Sequence, residues 1–111
     1  MIKNGIYSLS ATVLDGPDVE VGGVLILHNG MIHGGDSYVY YTGPYDAADG
    51  KWTGKMVSRE HAPTTRPIAE LVQKIEFRGN YNEDGAKASA TAVVGKQRVR
   101  HDATLRFLAE H

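Results

Sequence analysis

Two histidines, His28 and His33, have the type and spacing that come nearest to a metal site in this chain. They flank Asn29-Gly30, whose residues both tolerate the positive φ that a tight type I′ hairpin turn requires. A two-residue turn places both imidazoles on one face of the hairpin, as diagonal neighbours. A tight metal site needs a third or fourth ligand, and no spacing recommends Asp36 or His61 for that role. We therefore expect solvent-facing hairpin residues, with neither a bound metal nor a cofactor.

Two polar motifs resemble ligand-binding loops but fit turns better. NYNEDG, residues 80–85, begins with Asn where a calcium loop has Asp, and Thr91 stands where that loop needs an acid. GGD, residues 34–36, has no lysine after it and no helix to bind a phosphate, so we expect a glycine bulge with Asp36 bonded to nearby backbone. His101 stands in an apolar row and is predicted to be a hydrogen-bonded core or rim residue.

The sequence contains no recognisable catalytic set. No serine, histidine and acid stand at the spacing of a known triad, and no paired carboxylates on facing strands have a visible cause for a shifted pKa. We therefore predict that the protein is not an enzyme.

The elements that must position these residues are predicted to be strands. In residues 6–14, Tyr7, Leu9 and Ala11 share one face and serines share the other, an alternation typical of a half-buried strand. Similar patterns extend through the chain. The predicted strands are residues 6–14, 19–27, 31–33, 37–43, 51–61, 71–79, 86–94 and 97–109.

Turn signals separate these strands. Gly22-Gly23 is predicted to form a bulge or bend, and Gly34-Gly35 to break the third strand. PYDAADG, residues 44–50, is predicted to be a turn-rich loop, and residues 62–70 the longest connection. About eight short strands with tight turns predict an all-β fold in a single domain, residues 1–111. We expect a small antiparallel up-and-down β-barrel or, failing that, a sandwich.

The strand at residues 86–94 predicts what lies inside such a barrel. Its inward set consists mostly of alanine, which leaves space beside that wall. Large side chains from the opposite wall could fill this space, as close packing demands. The same space could instead hold a small apolar ligand, and the candidate ligand-binding residues are Trp52, Met56, Phe77 and Ala90.

Composition limits the function classes. The chain has 111 residues, no cysteine and a net charge of −1, so disulfide and thiolate chemistry are excluded and direct nucleic-acid binding is disfavoured. Arg98, Arg100 and Arg106 form an outward stripe that we expect to be solvated and paired with acids on a neighbouring strand. No signal-peptide core and no apolar run of transmembrane length is present, so we expect a cytoplasmic protein without membrane contact.

Four segments in order, NGIYSLS, GGVLILHNG, MIHGGDS and YVYYTG, give the chain a family resemblance over residues 3–43. It resembles the GrlR-type negative regulators of type III secretion gene expression. The resemblance implies a lipocalin-like barrel that is dimeric and cytoplasmic, without enzyme activity or cofactor. It also implies binding to a transcriptional activator through four consecutive acids in an exposed loop. The matching loop here, YDAADG, keeps acids at Asp46 and Asp49 only.

Two binding functions therefore stand as hypotheses. The first is a GrlR-like regulator that acts by protein–protein interaction, with Tyr45, Asp46 and Asp49 as candidate partner-binding residues and a homodimer as the expected state. The second is a lipocalin-like binder of a small apolar ligand in the barrel interior. An exposed patch of tyrosine and acid beside a filled interior favours the first, and an open apolar interior favours the second.

Overall fold

The chain folds into a closed barrel of eight antiparallel strands, seen in a computed structural model that describes residues 2–14, 20–37, 39–61 and 72–110. Each strand pairs with the next in chain order, and the first pairs with the last. This confirms the predicted up-and-down barrel, which is consistent with a small lipocalin-like fold. The strands are β1 (Gly5–Val13), β2 (Glu20–His28), β3 (Met31–Gly35), β4 (Val39–Ala48), β5 (Lys51–Glu60), β6 (Gln73–Tyr81), β7 (Gly85–Val94) and β8 (Gln97–Glu110).

The β2–β3 hairpin has the predicted turn. Asn29 and Gly30 have φ values of 48° and 85°, the left-handed conformation of a type I′ turn. The register that follows pairs His28 with Met31 and Ile26 with His33, as expected from a two-residue turn. Asn4 reinforces the corner, since its amide group is bonded to both the backbone nitrogen and the side chain of Asn29, each at 3.0 Å.

The prediction of a loop at residues 44–50 is wrong. β4 continues to Ala48, and only Asp49 and Gly50, with φ values of 54° and 78°, form the turn. Tyr45 pairs with Gly54 and Ala47 with Trp52, so this segment keeps the inward alternation of a strand. Asp-Gly is itself a strong type I′ signal, and it marks a short turn and not a long loop.

The two glycine pairs also behave differently from the prediction. The register between β1 and β2 is continuous through Gly22-Gly23, and β3 includes Gly34-Gly35. A Cβ at Gly23 would lie 2.7 Å from the carbonyl oxygen of Gly35, so glycine allows close approach of neighbouring strands here without a bulge. A register shift does occur between β1 and β8, at Ile6 and Tyr7. The connection predicted at residues 62–70 lies outside the described residues, as do residues 15–18 between the first two predicted strands.

Aromatic rings fill one half of the interior, which we call the packed half. It lies beside the β2–β3, β4–β5 and β6–β7 turns. The rings of Trp52 and Phe77 are 4.5 Å apart, those of Tyr45 and Trp52 are 6.2 Å apart, and Tyr7 meets Phe107 edge-on at 5.3 Å. Tyr7 and Trp52 are 1% and 3% exposed. The expectation that large side chains fill the space beside the alanine wall is confirmed in this half.

The other half of the interior, which we call the mouth half, has smaller and more polar side chains. Its inward positions include Ala11, Ser58, Gln73, Ala92 and Val99. Ser58 and Ala92 are buried, but Gln73 and Val99 are only half-buried. Packing is therefore uneven along the barrel axis, tight beside the type I′ turns and looser towards the opposite end.

Candidate functional site

The histidine pair lies on the outer surface of the β2–β3 hairpin. His28 and His33 are exposed. His28 Nε2 is 3.1 Å from the side-chain nitrogen of Asn29, and His33 Nδ1 is 3.4 Å from the Thr42 hydroxyl oxygen. Within residues 2–14, 20–37, 39–61 and 72–110, no three His, Cys, Asp or Glu side chains group closely enough to hold a metal ion. The two residues therefore share a face as predicted, and the described residues bring no third ligand to them.

Both polar motifs are turns. The Asn82 side-chain oxygen accepts hydrogen bonds from the backbone nitrogens of Asp84, at 2.8 Å, and Gly85, at 3.1 Å, which closes the β6–β7 turn. Asp36 Oδ1 accepts a hydrogen bond from Val39 N at 2.9 Å, and Asp36 N donates to Val39 O at 3.0 Å. The predicted bonding of Asp36 to nearby backbone is confirmed, although the glycines before it continue strand β3.

The three candidate partner-binding residues do not share a surface. Asp46 points outward from β4 and is exposed, as is Asp49 in the turn. Tyr45 faces inward, is 8% exposed and packs edge-on against Trp52. The prediction that Tyr45 is a surface contact is therefore wrong, because the strand alternation that exposes Pro44 and Asp46 turns the residue between them into the core.

The four candidate ligand-binding residues all face the interior. Trp52 and Phe77 are buried against each other in the packed half, and the Trp52 indole nitrogen donates to Lys87 O at 3.2 Å. Met56 and Ala90 are half-buried and pack against the edge of that cluster. Trp52 and Phe77 are thus part of the filling, while Met56 and Ala90 lie where the mouth half begins.

A polar row crosses the mouth half. Tyr41, Ser58 and Gln73 are successive register partners on β4, β5 and β6, and all point inward. The Tyr41 hydroxyl donates a hydrogen bond to the Asp36 carboxylate at the rim. Burial, the Asp36 charge and this hydrogen bond together raise the pKa of Tyr41 to about 12. The phenol therefore stays protonated at neutral pH and holds the β3–β4 turn against the barrel wall.

An apolar face covers the outside of β2, β3 and β4. We define the apolar face as Val24, Ile26, Met31, Tyr40 and Pro44. Val24 is 45% exposed, Met31 37% and Tyr40 40%. The outward positions of these strands from Gly22 to Pro44 contain no Asp, Glu, Lys or Arg, and the first acid along β4 is Asp46. An uncharged patch of this kind with an exposed tyrosine is typical of a protein-contact surface.

A basic face covers the outside of β5 to β8. All nine of its basic side chains are exposed, and the outward positions of these strands contain two acids before the C-terminal Glu110, namely Glu76 and Asp102. We define the basic face as the nine residues Lys51, Lys55, Arg59, Lys74, Arg78, Lys87, Arg98, Arg100 and Arg106.

The acids expected opposite the arginine stripe are not at those register positions. Arg98 lies opposite Val93, and Arg106 lies between Gly85 and Ser8. Lys55 Nζ is 3.8 Å from Glu76, a pair whose side chains are 79% and 71% exposed. Such an exposed pair contributes little to stability. The prediction of paired acids on a neighbouring strand is therefore wrong for Arg98 and Arg106.

The sequence alone predicted neither the apolar face nor the basic face, although it contains part of the pattern that forms each one. Alternation correctly assigned the arginine stripe of β8 to the outer surface. What it lacked was the closed register, which places β2 to β4 on one side of the barrel and β5 to β8 on the other.

No protein-family model matches the sequence, and none of the curated proteins matches it. Within the described residues, no helix has the length and apolar character needed to cross a bilayer. The candidate function therefore rests on the two outer faces and the interior.

Proposed function

We propose that this protein is a non-enzymatic, GrlR-like regulator that acts by protein–protein interaction and forms a homodimer through the apolar face. The observation that carries the proposal is the exposure of Val24, Met31 and Tyr40 on an uncharged outer wall. Exposed apolar side chains in a contiguous patch lower the free energy of association when a partner covers them. Tyrosine adds a large ring with a polar tip, a combination enriched at interfaces.

A second copy of the chain is the expected occupant of this face. An isologous dimer brings the same patch of two copies together, so any charge on the patch would face its like. Between Gly22 and Pro44 the outer side of β2 to β4 carries no Asp, Glu, Lys or Arg, and its two histidines are His28 and His33. The basic face would suffer strong repulsion in the same arrangement, because it brings nine positive side chains against nine.

Asp46 and Asp49 are proposed to contact a transcriptional regulator at the edge of the dimer. Both are exposed, Asp46 on the outer side of β4 two residues after Pro44 and Asp49 in the β4–β5 turn. This arrangement keeps the acidic contact that the family resemblance implies, without Tyr45. The cytoplasm, where such a regulator works, is the proposed location.

Sedimentation equilibrium tests the dimer. We expect a dimer for the wild type and a monomer for Met31→Ser/Tyr40→Ser. The matched control is Val72→Ser/Leu108→Ser, which removes two side chains of similar exposure, 45% and 46%, outside the apolar face. A wild type that stays monomeric, or a control that dissociates as fully as the test variant, would contradict the proposal.

Affinity capture from native lysate tests the regulator contact. Asp46→Ala/Asp49→Ala is expected to lose a transcriptional regulator that the wild type recovers. Glu83→Ala/Asp84→Ala, which removes two exposed acids from the neighbouring β6–β7 turn, should retain it. Recovery of the same proteins by all three versions would rule out the acidic contact.

A small apolar ligand in the mouth half is the second candidate function. The observation that favours it is the partial exposure of inward-facing Leu9, Met56 and Ile75 in a closed barrel. Ligand sites combine an apolar lining with a few convergent polar groups, and Tyr41, Ser58 and Gln73 supply such groups here.

A neutral fluorescent probe, N-phenyl-1-naphthylamine, distinguishes this candidate. We expect its emission to rise with wild-type protein and with Ser89→Leu, whose new side chain points outward. Ala90→Leu places the same side chain inward and should abolish the rise. Equal emission from the two variants, or none from the wild type, would exclude the mouth half as a ligand site.

A further inference from the structure

We propose that the basic face binds the phosphate backbone of double-stranded nucleic acid, an activity separate from the dimer contact. The net charge of −1 conceals a strong segregation of charge. Nine of the 12 Lys and Arg residues are exposed on one side of the barrel, on β5 to β8. The described acids lie mainly at the ends, among them Asp36 at the rim and Asp49, Glu83 and Asp84 at the turns.

The electrostatic potential at this face depends on the charges nearby and not on the net charge of the chain. Charges separated by more than about 10 Å are largely screened at 0.1 M salt. The barrel measures 37 × 24 × 22 Å, so acids at its ends are screened from the centre of the face. Two acids, Glu76 and Asp102, interrupt the basic residues along the described strands before the C-terminal Glu110. The face therefore presents a positive potential to a polyanion.

Composition favours phosphate over a protein partner. Protein interfaces are enriched in aromatic residues and depleted in lysine at their centre. The outward positions of the described β5 to β8 have no aromatic side chain and four lysines, Lys51, Lys55, Lys74 and Lys87. Hydroxyl and amide groups stand between the cations at Thr53, Asn80, Ser89 and Thr104. These are the side chains that hydrogen-bond phosphate oxygens beside Lys and Arg.

The same composition favours a duplex over a single strand. Sequence-tolerant binding of single strands relies on aromatic rings that stack on bases, and the described part of this face offers none. A duplex needs only cations along its backbone and carries a charge about every 1.7 Å of its axis. The long dimension of the barrel, 37 Å, matches about one helical turn of DNA, roughly 34 Å.

Asp102 offers an internal check on this assignment. It lies on β8 opposite Ser89, which lies opposite Arg78, so its carboxylate interrupts the cations near the middle of the face. A shallow depression with a volume of about 370 Å³ spans Arg78, Lys87 and Asp102. Removing the negative charge there should strengthen phosphate binding, whereas a merely solvated face would show no response.

Fluorescence anisotropy with labelled 20-base-pair duplexes of unrelated sequence tests the proposal. We expect the wild type to bind them with similar affinities that fall steeply with salt. Arg78→Gln/Lys87→Gln should weaken binding about tenfold and reduce the slope of log K against log salt by about 2. Lys3→Glu lowers the net charge by the same two units at a position before β1, outside the nine residues of the face, and should change the affinity less. Asp102→Asn should strengthen binding severalfold.

Several results would overturn the proposal. One is equal loss of affinity from Lys3→Glu and Arg78→Gln/Lys87→Gln, which would assign binding to net charge. Another is the absence of salt-dependent duplex binding by the folded wild type at low salt. A third is binding to poly-L-glutamate or to anionic phosphatidylserine vesicles that equals duplex binding and shows the same variant pattern. That result would make the face a general anion surface. Thermal unfolding of every variant confirms that its barrel is intact.

Discussion

The apolar face and the basic face are formed by the same kind of wall, yet they have opposite surface chemistry. Both are antiparallel strands with alternating side chains, and both enclose the same barrel interior. On β2 to β4 the outward positions from Gly22 to Pro44 contain no Asp, Glu, Lys or Arg, and Met31 and Tyr40 are exposed. On β5 to β8 they carry nine cations. The difference shows that the same barrel wall accommodates different outer side chains, because the fold depends on the inward positions and the turns.

The largest expected effect comes from the interior that both faces share. Phe77→Ala removes a buried ring that packs 4.5 Å from Trp52 and should lower the free energy of unfolding by about 3–5 kcal/mol. Dimer formation and duplex binding should then weaken together as the temperature approaches the lowered midpoint. Chemical denaturation measures the stability, and Ser10→Ala, an exposed change on β1 outside both faces, serves as control. Loss of one activity while the other persists would mean that the faces do not rest on a common core.

The next largest effect is the difference in salt dependence between duplex binding by the basic face and dimer formation by the apolar face. Raising salt from 50 to 200 mM should weaken duplex binding about 10²-fold if about four or five phosphates are contacted. Dimer dissociation should change less than about twofold, since the apolar face has no charges to screen. Sedimentation and anisotropy at matched salt concentrations measure both. A dimer that dissociates with rising salt would show that charge, and not apolar area, holds the two copies together.

Most of the barrel could be predicted from the sequence because alternation and turns are local signals. Asn29-Gly30 specified both its turn and the pairing of His28 with Met31. The same local reasoning failed at Tyr45, since Pro44 and Asp49-Gly50 suggested a long loop where the strand continues.

The two faces could not be predicted because each depends on which strands become neighbours around a closed barrel. Alternation predicts a solvated stripe on β8 alone, and the barrel adds Lys55, Arg78 and Lys87 to it from β5, β6 and β7. Net charge, a property of the whole chain, concealed this clustering.

A smaller change in stability is expected on replacing Tyr41, which lies on β4 behind the apolar face. Tyr41→Phe removes the hydrogen bond to Asp36 and should cost about 1 kcal/mol at pH 7. Burial first, and then the Asp36 charge and this hydrogen bond, raise the pKa of Tyr41 from 10.0 to about 12 in the folded protein. The folded state therefore favours the protonated phenol, so the stability is unaffected below pH 10 and falls as the pH rises through 12. The wild type should therefore lose more stability than Tyr41→Phe over that range. Parallel pH profiles of urea unfolding for the two proteins would contradict the raised pKa of the Tyr41 phenol.

The smallest expected effect is the change in stability on replacing Tyr81, which lies on β6 behind the basic face. The Tyr81 hydroxyl is buried on β6 and has no hydrogen-bond partner among the described residues. Tyr81→Phe should therefore leave the stability unchanged or raise it by up to about 1 kcal/mol. Tyr7→Phe is the matched control, because the Tyr7 hydroxyl donates to Lys3 O at 2.7 Å and its loss should destabilise. Equal losses in the two variants would indicate that Tyr81 has a partner in solution.

The most direct test of the central claim is the distance between equivalent positions in two copies, measured by pulsed dipolar spectroscopy. The chain has no cysteine, so Asp46→Cys and Lys87→Cys each provide a single site for a spin label. Association through the apolar face predicts a short distance between Asp46 positions at its edge. The distance between the two Lys87 positions, on the opposite wall, should be longer. It should exceed the Asp46 distance by up to about twice the barrel width of 22–24 Å. A shorter distance between the Lys87 positions, or no dipolar coupling at Asp46, would contradict the account.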